Sequence, residues 1–382
     1  MTWPIVTIGE ICDVVSGATP KTSRPEFWDG NIPWVTPKDL SQLGRKHLND
    51  TLRHITDLGL KRCSTKMLPA QSFLLSSRAP IGLVAINTIP VCTNQGFKSL
   101  VPRFDLVSPD YLFWWLKAER AHIRNKGRGA TFKEVSKKIV EDLQVPLPPL
   151  NEQKRIAGIL DKADALRIKR RDALARLDTL TQSIFLDMFG DPATNPQGWQ
   201  VVALRSLGRV TTGGTPPSSK EGMFGGAIPF ITPADLESGQ PIKRTVTDAG
   251  AGASRTVSAG ATLVCCIGAT IGKIGKSTVR SAFNQQINAV EWGERINTVY
   301  GVEVMRFFKP TIVAWGSSTT LPILKKSSFE RIEIPVPPLA NQREFAVQME
   351  GVKRVRAAHR VALSKSTELF GALQAIAFRG SL

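Results

Sequence analysis

The sequence predicts an α+β fold built twice: two pseudo-twofold related α+β domains joined by two long antiparallel coiled-coil spacer helices. Three observations predict it. A chain of 382 residues holds two domains of ordinary size, each able to bury its own core. Segments of the first half return in the second half at nearly constant spacing. Each copy ends in a proline run followed by a long apolar stripe at threes and fours, over residues 143–190 and 332–380. The boundaries that follow are 1–148 for the first domain, 149–190 for the central helix, 191–338 for the second domain and 339–382 for the last helix.

The repeat is read residue by residue. Trp3-Pro-Ile-Val and Gly17-Ala-Thr-Pro20 match Trp199-Gln-Val-Val and Gly213-Gly-Thr-Pro216, an offset of 199 − 3 = 196. Ile32-Pro-Trp-Val-Thr-Pro-Lys-Asp-Leu40 matches Ile228-Pro-Phe-Ile-Thr-Pro-Ala-Asp-Leu236 at the same offset. Pro80-Ile-Gly82 then pairs with Thr270-Ile-Gly272, and Asn94-Gln95 with Asn284-Gln285, at 284 − 94 = 190. The text between these blocks is therefore shorter in the second copy. Gly127 to Thr131 pairs with Gly316 to Thr320, and Pro146-Leu-Pro-Pro-Leu150 with Pro335-Val-Pro-Pro-Leu339, at 335 − 146 = 189. Framework segments match while the text between them diverges.

Short apolar runs at 72–75, 82–86 and 263–267, bounded by Gly, Pro, Ser and Thr, read as strands. Pro109-Asp-Tyr-Leu-Phe-Trp-Trp-Leu reads as a short helix with Ser108 at its N-cap. Residues before proline favour extended geometry, so PLPPL and PVPPL are stiff spacers, and helices start just beyond them near Asn151 and Asn341. The first stripe is Ile156, Ile159, Ala163, Leu166, Ala173, Leu177, Leu180, Ile184 and Met188. The second is Phe345, Met349, Val352, Val355, Ala362, Ser366, Leu369, Leu373 and Ile376. Stripes this long suit a coiled coil, and repeats in the same order pack their helices antiparallel only head to tail about a pseudo-twofold axis. A helix of about 38 residues spans roughly 57 Å, against roughly 48 Å for about fourteen base pairs of duplex.

Charge points to a polyanion. The formal net charge is +18 and the pI about 10.0, more one-sided than solubility requires. Five cysteines (Cys12, Cys63, Cys92, Cys265, Cys266) show no CxxC spacing, which argues against a zinc site or disulfide framework and for a reducing compartment. The start MTWPIVTIGEI has no signal-peptide pattern and no run is long and apolar enough for a membrane span, so a cytoplasmic location is expected.

Four patterns with a catalytic look each have a simpler reading. Asn195-Pro196-Gln197-Gly198 starts like an adenine-methyltransferase motif but lacks the second proline and the stacking aromatic, so a turn is expected. Gly275-Lys276-Ser277 resembles the end of a phosphate-binding loop, yet Thr270 stands where its first glycine belongs. Glu152-Gln-Lys154 has nuclease-like spacing without an acidic partner, and its repeat has Asn341 and Arg343. His47, His54, His122 and His359 are scattered, which offers neither a metal cluster nor an oriented base. A non-catalytic chain without a metal site is expected.

The matched blocks together, W..V.L..I, G.TP, IP.(V/I)TP.DL, (I/T)G…NQ and PLPPL.EQ.RI, closely resemble the specificity subunits of type I restriction-modification systems. Met188-Phe-Gly-Asp191 and Ala377-Phe-Arg-Gly-Ser-Leu382 look like that family's helix exits. The resemblance runs over almost the whole chain. It implies two target recognition domains on a bipartite asymmetric double-stranded DNA sequence, docking two methyltransferase (modification) subunits and, through them, restriction subunits. S-adenosylmethionine, ATP and magnesium would belong to those partners, with no cofactor in this chain. Helix-start residues Glu152, Gln153, Arg155, Gln342 and Arg343 are the expected partner contacts.

Lys and Arg supply affinity at phosphates, while Arg, Asn and Gln read base edges. In the first domain the expected DNA contacts are Thr19, Lys21, Thr36, Lys38, Arg45, Lys46, Arg53, Lys61, Arg62, Lys66, Arg78, Asn94, Gln95, Lys98, Arg124, Lys126, Arg128 and Lys133. In the second they are Thr215, Lys220, Thr232, Lys243, Arg244, Arg255, Lys273, Lys276, Arg280, Asn284, Gln285, Lys325 and Lys326. For any one of them the competing reading is a solvated charge, or for Asn94 and Gln95 a turn. Ser317-Ser-Thr-Thr320 either donates to phosphates or caps a helix.

Overall fold

Each domain closes its own ends. In the first, strand Ile5–Thr7 pairs antiparallel with strand Gln144–Pro146, Ile5 opposite Pro146. In the second, Gln200–Ala203 pairs with Glu333–Val336 in the same way. The proline run thus begins as a strand, and its spacer character is confined to the residues before the helix. The structure is a computed structural model that describes residues 3–129, 133–316 and 322–380. Thr131 and the 317–320 hydroxyl run lie outside the described residues, as do the last two residues of the chain. The chain divides into two compact units, Met1–Arg171 with Val361–Leu382, and Asp172–Arg360.

The first unit carries a five-stranded sheet in the order Cys12–Ser16, Lys98–Pro102, Phe73–Leu75, Val84–Asn87, His47–Leu48, and a three-stranded sheet in which Trp28–Val35 lies between His54–Ile55 and Cys92–Thr93. The second repeats the scheme with a four-stranded sheet, Gly208–Thr212, Ile287–Trp292, Thr262–Cys265 and Ile274–Lys276, and with Phe224–Ile231 between Thr245–Val246 and Ser281–Phe283, the last of which also pairs with a further strand, Thr256–Val257. Even an irregularity recurs: Trp28 and Ile32 both face Ile55, as Phe224 and Ile228 both face Val246. Where the offset changes from 196 to 190, the first unit has strand His47–Leu48, and the second has no counterpart among its described residues.

The two long helices are continuous, Leu150–Phe189 and Leu339–Ala377. Both enter both units. In the second unit their segments run antiparallel, since Asp178 meets Arg356 at 2.8 Å and Met188 meets Gln348 at 3.6 Å. In the first, the Arg167 guanidinium lies 4.4 Å over the Phe370 ring.

The predicted stripes hold at most positions and fail at some: Ile156, Phe345 and Met349 are buried, and Ala163, Ile184, Met188, Val352 and Leu373 pack half-buried against the cores. Leu166, Leu180, Val355, Leu369 and Ile376 are exposed, whereas Leu160, Phe185, Phe189, Phe370 and Ala377 are buried. A heptad reading assumes that one helix is the other's only partner. Here the helix ends also pack on the domain cores, so Phe185 and Phe189 meet Tyr300 and Phe345.

The helix starts bring a second correction. Gln153 and Gln342, expected at a partner surface, are fully buried. Gln153 Oε1 accepts from Ser108 N at 2.7 Å, and its Nε2 donates to the carbonyls of Leu106 (3.1 Å) and Pro148 (2.8 Å). Gln342 does the same with Asn297 N, Arg295 O and Pro337 O. Each glutamine ties a helix start to the loop before a domain helix. Ser108 is the N-cap residue of helix Pro109–Ala118, as read, but its hydroxyl makes no capping bond.

Candidate nucleic-acid interface

Two motifs far apart in sequence form one structure in each unit. The G.TP turn lies on the Asn-Gln turn so closely that a Cβ on Gly17 would stand 2.1 Å from Asn94 O, and one on Gly213 2.2 Å from Asn284 O. Only glycine fits there. The Thr19 hydroxyl then donates to Gln95 Oε1, and the Thr215 hydroxyl to Gln285 Oε1 at 2.5 Å. Asn94 and Asn284 hold the second turn by accepting from Gly96 N (2.9 Å) and Gln286 N (3.2 Å). Gln95 and Gln285 are exposed, while the asparagines are half-buried turn residues.

Thr36 and Thr232 are likewise engaged within the chain. Each sends its hydroxyl (2.6 Å) and its amide (2.8 Å) to one carboxylate oxygen, on Asp39 and Asp235. For Asp39, burial alone would raise the carboxyl pKa. The hydrogen bonds from Thr36, Thr51 and Leu52 outweigh it and hold the pKa below its ordinary value. A depressed acid contributes stability that is present above the unfolded-state pKa of about 3.9 and is lost as pH falls through the lower folded value. Asp39→Asn is expected to be less stable by about 1 kcal/mol at pH 7, a gap that closes below about pH 4. Thermal melts across pH 3 to 7 check this, and a gap independent of pH would contradict it.

The largest gathering of predicted residues lies in the first unit. A concavity of about 550 Å³ is lined by Thr36, Lys38, Gln42, Arg78, Asn94 and Gln95. A second, of about 800 Å³, continues past Arg78 to Arg124 and Lys133. Residues from five stretches of sequence thereby line one basic trough, whose floor also includes apolar Ala79, Pro80 and Ile81. Arg78 forms the shared wall, its Nη2 2.9 Å from Glu134 Oε2. Burial would raise the Glu134 pKa, but the bonds from Arg78 and Lys98 outweigh it and keep the group anionic.

Lys98 and Lys46 are corrected. Lys98 is buried, with Nζ 3.2 Å from Glu134, so it serves as an internal counterion. Lys46 Nζ lies 2.5 Å from Asp110 and 2.8 Å from Asp161, and its side chain is 14% exposed. It is a strut from the variable stretch to the central helix. Lys21, Arg45, Arg53, Lys61, Arg62, Lys66, Lys126 and Arg128 are exposed, as expected of contacts.

The second unit exposes Lys220, Lys243, Arg244, Arg255, Lys325 and Lys326. Lys273 is half-buried and donates to Pro233 O, and Arg280 lies 3.7 Å from Asp248. Lys276 lines a separate cleft on this unit. Where the first unit bridges Arg78 to Glu134, the second bridges Ile267 to Ile323. The two units therefore offer different chemistry on matched frameworks.

One matched feature was not legible as such. The Arg53 guanidinium lies 3.9 Å over the Trp28 ring and 5.1 Å from Trp34. Arg244 stands 4.5 Å over Phe224 and 5.3 Å from Phe230. Aromatics at 28 and 34 answer those at 224 and 230 at the offset of 196, a signal available in the sequence.

Residues of the catalytic look-alikes make hydrogen bonds and ion pairs within the chain. The Ser277 hydroxyl is buried and donates to Ser258 O at 2.6 Å, so it is committed within the strand turn. Asn195 has a φ of 45° and clasps Trp199 through both amide atoms. Glu152 pairs with Arg155 at 2.7 Å, and Arg343 is exposed. Among the described residues no group of three His, Cys, Asp or Glu is placed to hold a metal, and no helix is long and apolar enough to cross a membrane.

Residues 1–176 and 196–357 match the family model described as type I restriction modification DNA specificity domain. The specificity subunit of type I restriction enzyme MjaIX from Methanocaldococcus jannaschii is 32% identical over 254 residues, 62% of this chain and 59% of that protein. The EcoR124I/EcoR124II specificity subunit from Escherichia coli is 31% identical over 183 residues, 46% of this chain and 44% of that protein. The match thus spans about half the length of these relatives. A crystal structure of a type I restriction-modification S subunit from M. genitalium shares the fold, with a TM-score of 0.61 at 14% identity over 99% of this chain and 96% of that one.

Proposed function

Since the chain belongs to the type I restriction-modification DNA specificity family, as a specificity subunit, we propose that it binds a bipartite asymmetric duplex sequence, one half-site per unit. The observation that carries this reading is the basic trough of the first unit, where Lys38, Arg78, Arg124 and Lys133 flank Asn94 and Gln95. Cations at such a surface bind phosphates, and amides and guanidinium groups read base edges. Matched frameworks with unlike surfaces support two unlike half-sites.

In this reading the long helices receive two methyltransferase subunits, which in turn bring restriction subunits. Exposed Arg155 and Arg343 and half-buried Glu152 remain the candidate contacts near the helix starts. The chain itself is non-catalytic and works in the cytoplasm. S-adenosylmethionine, ATP and magnesium are ligands of the partners. Gel-shift titration of duplex DNA with and without the methyltransferase subunit tests the proposal. A specific affinity at least tenfold higher with that partner is expected, and no gain would count against it.

A further inference from the structure

The repeat relates the units position by position, and three positions that meet at one place carry opposite chemistry in the two copies. In the first unit they are Ile86, Trp114 and Phe370, all buried, with the two rings edge to face at 5.3 Å. The offsets 276 − 86 = 190, 303 − 114 = 189 and 370 − 181 = 189 put Lys276, Glu303 and Thr181 in their places in the second unit. Those are the offsets of the neighbouring framework blocks. A hydrophobic plug has become a polar lining.

The consequence is a cleft of about 600 Å³ within the second unit, lined by all three residues. That is the size range of small-molecule sites. Val299, Val302 and Met349 give it an apolar wall. Three cations beside it are neutralised: Arg306 meets Glu303 at 2.8 Å, Lys353 meets Glu350 at 3.4 Å, and Arg356 meets Asp178 at 2.8 Å. Lys276 is left over. Among the described residues it has no carboxylate within 4.0 Å, and its Nζ reaches the Thr298 hydroxyl at 3.4 Å. Burial, with Lys353 nearby, lowers its pKa, so an anion beside it would be favoured on two counts.

We propose that this cleft binds a small aromatic anion of the nucleoside monophosphate class. The ring lies against Val302 and Met349, in the space that Trp114 and Phe370 fill in the first unit, and the phosphate meets Lys276. An aromatic body suits a volume that the sister unit fills with an indole and a phenyl ring, and the unneutralised ammonium selects an anionic group.

Calorimetric titration of the full chain with adenosine monophosphate, adenosine and inorganic phosphate as separate arms tests it. Adenosine monophosphate is expected to bind with a Kd below roughly 1 mM, and the other two at least about tenfold more weakly. Lys276→Met is expected to weaken binding about tenfold or more. The pair Thr181→Phe with Glu303→Trp, which rebuilds the plug of the first unit, is expected to abolish binding. Melting temperatures of both variants report that they are folded, and Lys276→Met alone carries the test if the pair is not. No binding of the monophosphate, phosphate binding as tightly as the nucleotide, or unchanged binding in Lys276→Met would each overturn the proposal.

Discussion

Replacing Gln153 with alanine is expected to lower the unfolding free energy of the first unit by about 3 kcal/mol, and Gln342→Ala is expected to do the same in the second. Each change removes three hydrogen bonds from a site closed to water. One amide and two carbonyls are left without the partner that satisfied them. The desolvation penalty of such groups is about 1–3 kcal/mol each, and water entering the gap returns part of it. Glutamate does not substitute, because the two carbonyls need donors. Urea unfolding of the full chain measures the effect, and a loss below about 1 kcal/mol would mean that the helix starts are held by other contacts.

Arginine to alanine at position 53 or 244 is expected to reduce duplex DNA affinity about tenfold at moderate salt and to flatten the salt dependence by about one unit of slope. Both guanidinium groups stand over aromatic rings, which restrict them, and among the described residues neither makes a hydrogen bond or ion pair to a carboxylate or carbonyl. Such a group reaches a phosphate with little further loss of freedom. Although both arginines lie in the text that diverges between the repeats, they occupy matched places in the fold, each carbonyl accepting from the amide of the matched aromatic, Trp34 or Phe230, so the pair is expected to position both units alike. Lysine recovers only part of the affinity, since an ammonium lacks the guanidinium's planar face and fork of donors. Titrations over a salt series, on targets differing at single base pairs, decide the matter. A loss confined to one base pair would mean that the arginine reads a base.

Much of the fold was legible because duplication shows itself directly. Pairs such as Thr36 with Thr232 and Pro146 with Pro335 locate domains and helices without any knowledge of packing. The buried face of each helix was legible only in part, with Ile156, Phe345 and Met349 placed correctly and Leu166 and Leu180 not. Periodicity reports that a face exists, but whether Phe185 or Leu180 points inward depends on Tyr300 and Phe345, more than a hundred residues away. The candidate interface divides the same way. Lys38, Arg78, Asn94 and Lys133 come together from separate stretches, as their residue types suggest. Lys98 and Lys46 look the same in sequence, yet each is occupied by a carboxylate that only the folded chain brings near. A lysine's role is decided by its nearest acid, and composition does not contain that distance.

The closing strand pairs, Ile5–Thr7 with Gln144–Pro146 and Gln200–Ala203 with Glu333–Val336, have a consequence for inheritance. A domain whose first and last strands lie side by side is a cassette with both ends at one seam. Recombination between two related genes within the recurring text around those seams would exchange a complete domain and leave the helix junctions undisturbed. A lineage could then acquire a new surface in one genetic event, without passing through a misfolded intermediate. The same adjacency predicts where such crossovers are tolerated: at the seams, and not inside the sheets they close.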